Sequence, residues 1–372
     1  MKRVFSVLIV ILLILLFPLT AYAEETDKNE EEIYQEMTEG FKEGIDSDVS
    51  QELEKYDIDV SDPQTLKELE TSDIFSKIIS ALSANVGHAV KILVKVIALI
   101  VLCSIVKNCV PENNSVSGVF SFVSVITVLS VIMNTLQDCI DLSLNALNGM
   151  NTFMTCYIPV FTSVVVTSGN VTSGNSYYVV MFSICEIVTL IANTFILPVL
   201  SIVLSLSVVG ALNSDFPFHK TAEGLKKVVQ WILGGAMTVV VAVLSIRSII
   251  GTSVDNVATR SAKYVVSTFV PVVGGAVSEA FLTVKGSMGV IRSGIGSLGI
   301  IIILFIIITP VASIVVIRLS IKVCEMIAEM FDEKPICVLM SSVSSMLSIC
   351  LSTVICVSVM FILSTALLLM IK

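Results

Sequence analysis

The chain has 372 residues, 55% of them hydrophobic and only 14% charged, with a mean hydropathy of +0.95 and a net charge of −9. A soluble globular chain carries about a quarter charged residues, so this composition excludes an ordinary soluble fold and points to a membrane protein. The acidity sits in one short segment and no basic patch occurs, which excludes a nucleic-acid partner.

At the N-terminus, Lys2-Arg3, a short apolar run and Ala21-Tyr22-Ala23 have the form of a signal peptide cleaved after residue 23. Residues 24–84 then form an acidic, polar, helical segment, expected outside the cytoplasm. From Glu24 to Asp73 there are 19 Asp or Glu against 4 Lys. Ile33, Met37, Phe41 and Ile45 give it one weak apolar stripe, and Ser61-Asp62-Pro63 reads as a helix start. So few apolar groups cannot bury a core alone; the segment reads equally as a docking element and as a solvated leader.

Residues 85–115 hold the first expected transmembrane helix and a loop. His88, Lys91 and Lys95 share one face of that helix, either snorkelling to the surface or contributing to a polar path. The next apolar runs follow a pattern written twice at an offset of 112 residues. Pro159 falls on Pro271, Pro198 falls on Pro310, and residues 116–136 fall on 228–248. The expectation is an all-α polytopic membrane protein of two tandem repeats, 116–227 and 228–337, closed by a hydrophobic segment over 338–372. Asn145, Asn148 and Asn151 make a polar stripe in the first repeat.

Read as helix breaks, Pro159, Pro198, Pro271 and Pro310 divide the apolar runs into short helices and give seven to nine crossings. If the Pro159 and Pro271 segments are re-entrant the repeats are inverted; if they cross, the repeats are parallel. The distribution of Lys and Arg does not choose between the two.

Neither a phosphate loop of the G-x-x-x-x-G-K-S/T type nor an H-E-x-x-H pattern occurs, and the only histidines are His88 and His219. The nine cysteines lie in or beside apolar runs without C-x-x-C spacing. The expectation is a protein without enzymatic activity, metal or cofactor. Thr167-Ser168-Gly169 and Thr172-Ser173-Gly174 have a faint look of intramembrane serine proteases, but no histidine follows in a later apolar helix. Glu186 lies inside an apolar run, and with Glu279 and Lys91 it is the candidate for a polar pathway. Pro271 followed by Gly274-Gly275 is the candidate helix break and close-packing motif, with ordinary helix packing as its plainer reading.

The stretch Phe269-Val-Pro271-Val-Val-Gly-Gly-Ala-Val-Ser-Glu279-Ala and the glycine-rich run after it resemble the stage III sporulation protein AE family. The resemblance extends from about residue 74 onward. It implies a permease-like membrane component of the transenvelope complex that joins mother cell and forespore during endospore development. It also implies partners: other membrane and ring-forming proteins of the complex, and a separate ATPase. Two other roles remain open on the residues alone, a self-contained secondary transporter of a small solute and a non-conducting scaffold.

Overall fold

The computed structural model describes residues 71–109, 114–190, 197–212, 218–269 and 274–369, with isolated positions 50 and 194. The signal peptide, most of the acidic segment and Pro271 lie outside the described residues. What is described is helical apart from two tight turns. The helices are α1 (Thr71–Cys109), α2 (Asn114–Thr167), α3 (Val171–Leu190), α4 (Leu197–Leu212), α5 (Phe218–Phe269), α6 (Gly274–Met330) and α7 (Lys334–Leu369). The boundary expected at residue 84 falls inside α1, which runs through it without a break.

Five of these helices, α1, α2, α5, α6 and α7, are long and apolar enough to cross a membrane. The reading of Pro159 and Pro310 as helix breaks is corrected. Pro159 lies inside the 54 residues of α2, and Pro310 lies inside the 57 residues of α6. Packing on both sides of each proline overrides the local rule. Phe153, Tyr157 and Phe161 are fully buried along one face of α2, with successive ring centroids 5.4 and 5.2 Å apart. That aromatic ladder bridges the proline, whose ring points outward. Around Pro310 the flanking residues from Ile301 to Ile317 are mostly buried. One lost backbone hydrogen bond is a small penalty beside contacts of that extent.

The bundle is arranged around α7, which is free of charge from Pro335 onward and packs against α6, α5, α4 and α2. Its buried hydroxyls donate back along the helix, from Thr353 to the Ile349 carbonyl at 3.0 Å and from Ser364 to that of Met360 at 2.6 Å. Such small residues let neighbouring backbones approach closely without an orphaned polar group. The α5–α7 contact adds a bond from Gln230 Nε2 to Ser352 Oγ at 2.9 Å.

Both described turns are Schellman motifs. After α2, Asn170 N–H donates to Val165 O and Gly169 N–H to Val166 O, with Gly169 at φ 82°. After α6, Glu333 N–H donates to Ala328 O and Asp332 N–H to Glu329 O, with Asp332 at φ 52°. The left-handed region costs an L-residue roughly 1–2 kcal/mol. Asp332→Gly is therefore expected to stabilise the protein by about 1 kcal/mol, read as a higher thermal unfolding midpoint in detergent. Lys107 Nζ ties α1 to this turn, donating to Asp332 O at 3.0 Å and lying 3.5 Å from the Glu333 carboxylate.

Candidate functional site

The residues expected to form a polar pathway are not brought together. Glu186 lies on α3 with its side chain exposed, on a face shared with Val179, Phe182, Ile187 and Leu190. Lys91 and Lys95 are exposed on α1, which packs mainly on α6 and α2 and not on α3. None of the three has an ion pair among the described residues. Glu279 falls in the first turns of α6, with its side chain outside the described part; α6 opens on Gly274-Gly275. Pro198 sits in the first turn of α4, where its missing N–H costs nothing. No three His, Cys, Asp or Glu side chains converge among the described residues.

A buried polar centre lies where α2 turns into α3. Asp255, on α5 and 3% exposed, accepts the N–H of Thr172 at 2.9 Å, the N–H of Ser173 at 2.9 Å and the hydroxyl of Ser173 at 2.7 Å. The first turn of a helix leaves its N–H groups without intrahelical partners, and here a carboxylate from another helix satisfies them. Gly251, one turn before Asp255, makes the approach feasible: a Cβ there would lie 3.0 Å from Ser173 Cα. The same end carries Ser168 Oγ donating to Met288 O at 3.3 Å and Lys285 Nζ to Thr259 Oγ1 at 3.5 Å. Beside it is a water-sized cavity of about 10 Å³, bordered by Ser173, Tyr177, Arg247 and Ser364. Thr172-Ser173-Gly174 thus open a capped helix. Their sequence signal was the Ser/Gly/Asn cluster between two apolar runs, which reads as a helix–helix turn.

A second feature runs along α2. Every exposed residue of α2 from Ser130 to Thr167 is polar except Pro159. The series includes Asn134, Asp138, Asp141, Asn145, Asn148, Thr152 and Thr155, spaced alternately by four and three. Asn151, read from the sequence as part of the stripe, is half-buried instead. The apolar residues of the same stretch face α3, α6 and α7, with Tyr157 Oη donating to Ile295 O at 3.4 Å and Phe161 meeting Tyr177 at 5.6 Å.

Comparison with known proteins adds to this geometry. The family model described as Stage III sporulation protein AE (spore_III_AE) matches residues 61–371. The chain belongs to the stage III sporulation protein AE family. The chain is also 22% identical, over 291 residues, to Stage III sporulation protein AE of Bacillus subtilis (strain 168), covering 78% of this chain and 72% of that protein. No solved structure matches. As a member of this family the chain has a role in sporulation, and its apolar helices are those of a membrane protein.

For this family member, the Glu186 side chain is exposed on α3 rather than enclosed among the described residues. An ionised carboxylate among lipid costs at least ~2.5 kcal/mol, so an exposed Glu186 reaches toward polar surroundings. Glu186→Gln is expected to leave the unfolding midpoint in detergent unchanged, within about 0.5 kcal/mol.

Proposed function

We propose that this chain is the permease-like integral membrane component of the transenvelope complex that joins mother cell and forespore and that endospore development requires. The observation that carries the reading is the family match over residues 61–371, on a chain with five long apolar helices. In this reading the N-terminal segment is exported behind a cleaved signal, and the helices cross the mother-cell membrane around the forespore. Ring-forming proteins extend the path and a separate ATPase supplies energy. This chain catalyses nothing.

The charges support a membrane placement. No charged residue occurs in α6 between Arg292 and Arg318, or in α5 between Lys227 and Arg247. At 1.5 Å per residue these stretches are about 37 and about 28 Å long, close to the ~30 Å hydrocarbon core. Lys226 lies near Arg318 and Lys322, so the two helices reach the same rim together. A self-contained transporter would hold Glu186 and Glu279 in one cavity, and the outward position of Glu186 counts against that.

Deletion of the gene in its host, with complementation, tests the reading through spore yield and forespore shape. Arrest after engulfment with collapsed forespores is expected. Normal spores from the deletion strain would overturn it.

A further inference from the structure

The polar face of α2 is out of place on the surface of a membrane protein. Beside it, its neighbour α3 exposes Val179, Phe182, Ile187 and Leu190, a mostly apolar surface interrupted by Ser183 and Glu186. Phe161 of α2 and Tyr177 of α3 touch, so a polar face of α2 and a mostly apolar face of α3 lie side by side. From Ser130 to Thr155 α2 rises about 37 Å, enough to pass through the hydrocarbon core. A helix face that carries Asn and Asp along that depth must meet water or polar protein, because lipid offers those amides and carboxylates no hydrogen bonds.

We infer that this face of α2 lines a water-filled path through the membrane, closed by further copies of the same chain. The inference rests on the membrane reading above and goes beyond it in naming the lining. Two observations point to copies of the chain as the rest of the wall. First, Lys91 and Lys95 of α1 are exposed and have no ion pair among the described residues, as is true of Asp138 and Asp141 of α2. Second, these charges share one level. Lys107 contacts the α6–α7 turn, and Lys91 lies sixteen residues before it, about 24 Å along α1. Ser143 lies beside Cys350 of α7, which is sixteen residues after Lys334, again about 24 Å from that turn. Adjoining copies can therefore pair Lys91 and Lys95 of one with Asp138 and Asp141 of the next. Asn145, Asn148, Thr152 and Thr155 then remain open to the lumen.

The test uses full-length protein in cell membranes and a membrane-impermeant maleimide, with the wild type as the background for its own cysteines. Asn145→Cys, Asn148→Cys and Thr152→Cys are expected to label at least tenfold faster than Val179→Cys and Ile187→Cys on α3. Equally slow labelling of both faces overturns the water path. Equally fast labelling of both overturns the membrane reading itself. In parallel, two differently tagged wild-type copies are expected to purify together. Asp138→Lys with Asp141→Lys should abolish this, and adding Lys91→Asp with Lys95→Asp to the same chain should restore it. Fast labelling of α2 without co-purification of wild-type copies overturns the wall of copies and assigns that face to another protein. Failure of the charge exchange to restore co-purification overturns the Lys–Asp pairing.

Discussion

Asp255→Ala is expected to lower the stability of the purified protein by about 3 kcal/mol, the sum of two buried N–H groups left without acceptors and a lost hydroxyl contact. On a chain of this size that is a fall of roughly 5 °C in unfolding midpoint. The carboxylate is 3% exposed and meets three donors within 2.9 Å, so no water can replace it without opening the α3–α5 contact. Asp255→Asn should cost less, because one amide oxygen still accepts while the amide N–H₂ faces a donor. Ser173→Ala removes only the hydroxyl and should cost about 1 kcal/mol. The two sites should be non-additive, since each acts through the same contact. An unchanged midpoint in Asp255→Ala would mean that the carboxylate does not cap α3.

The same residue shows the limits of reading the chain by eye. A helix N-terminus at residues 170–173 is legible from Asn170, Ser173 and Gly174 between two apolar runs. Its acceptor is not, because Asp255 is 82 residues away from Ser173 and looks like one more charge beyond an apolar stretch. The helical class and the apolar spans follow from composition and periodicity, which are local properties. The prolines misled for the opposite reason. Pro159 disfavours a helix locally, yet Phe153, Tyr157 and Phe161 hold the helix through it by contacts made with other elements. With the apolar run ended at residue 136 and the polar stripe begun at Asn145, Asp138 and Asp141 fell between elements. Once α2 is a single helix they continue the stripe begun by Asn145 and Asn148. The 112-residue offset likewise sets α3 and α4 against the single helix α6. Similar sequence at that offset therefore does not give the same breaks in both units.

Gly299 and Gly296 offer a paired test of how tightly the centre is packed. A Cβ built on Gly299 would lie 2.5 Å from ring carbons of Tyr157, whose side chain is fully buried between Phe153 and Phe161. The ring cannot withdraw without dismantling the ladder that carries α2 past Pro159, and its hydroxyl also reaches Ile295 O on α6. Gly299→Ala is therefore expected to cost about 2–3 kcal/mol, and Gly299→Val more, at the upper end of overpacking penalties. Gly296 would also clash, but against the tip of the Leu369 side chain at the end of α7. That end can rotate away, so Gly296→Ala should cost less than about 1 kcal/mol. Tyr157→Leu in the Gly299→Ala background should recover part of the loss by making room for the new methyl group. Unfolding midpoints of the wild type and these four variants in one detergent decide the matter. Equal penalties for the two glycines would mean that the α2–α6 contact yields as easily as a helix terminus. The aromatic ladder would then no longer explain why α2 passes through Pro159 unbroken.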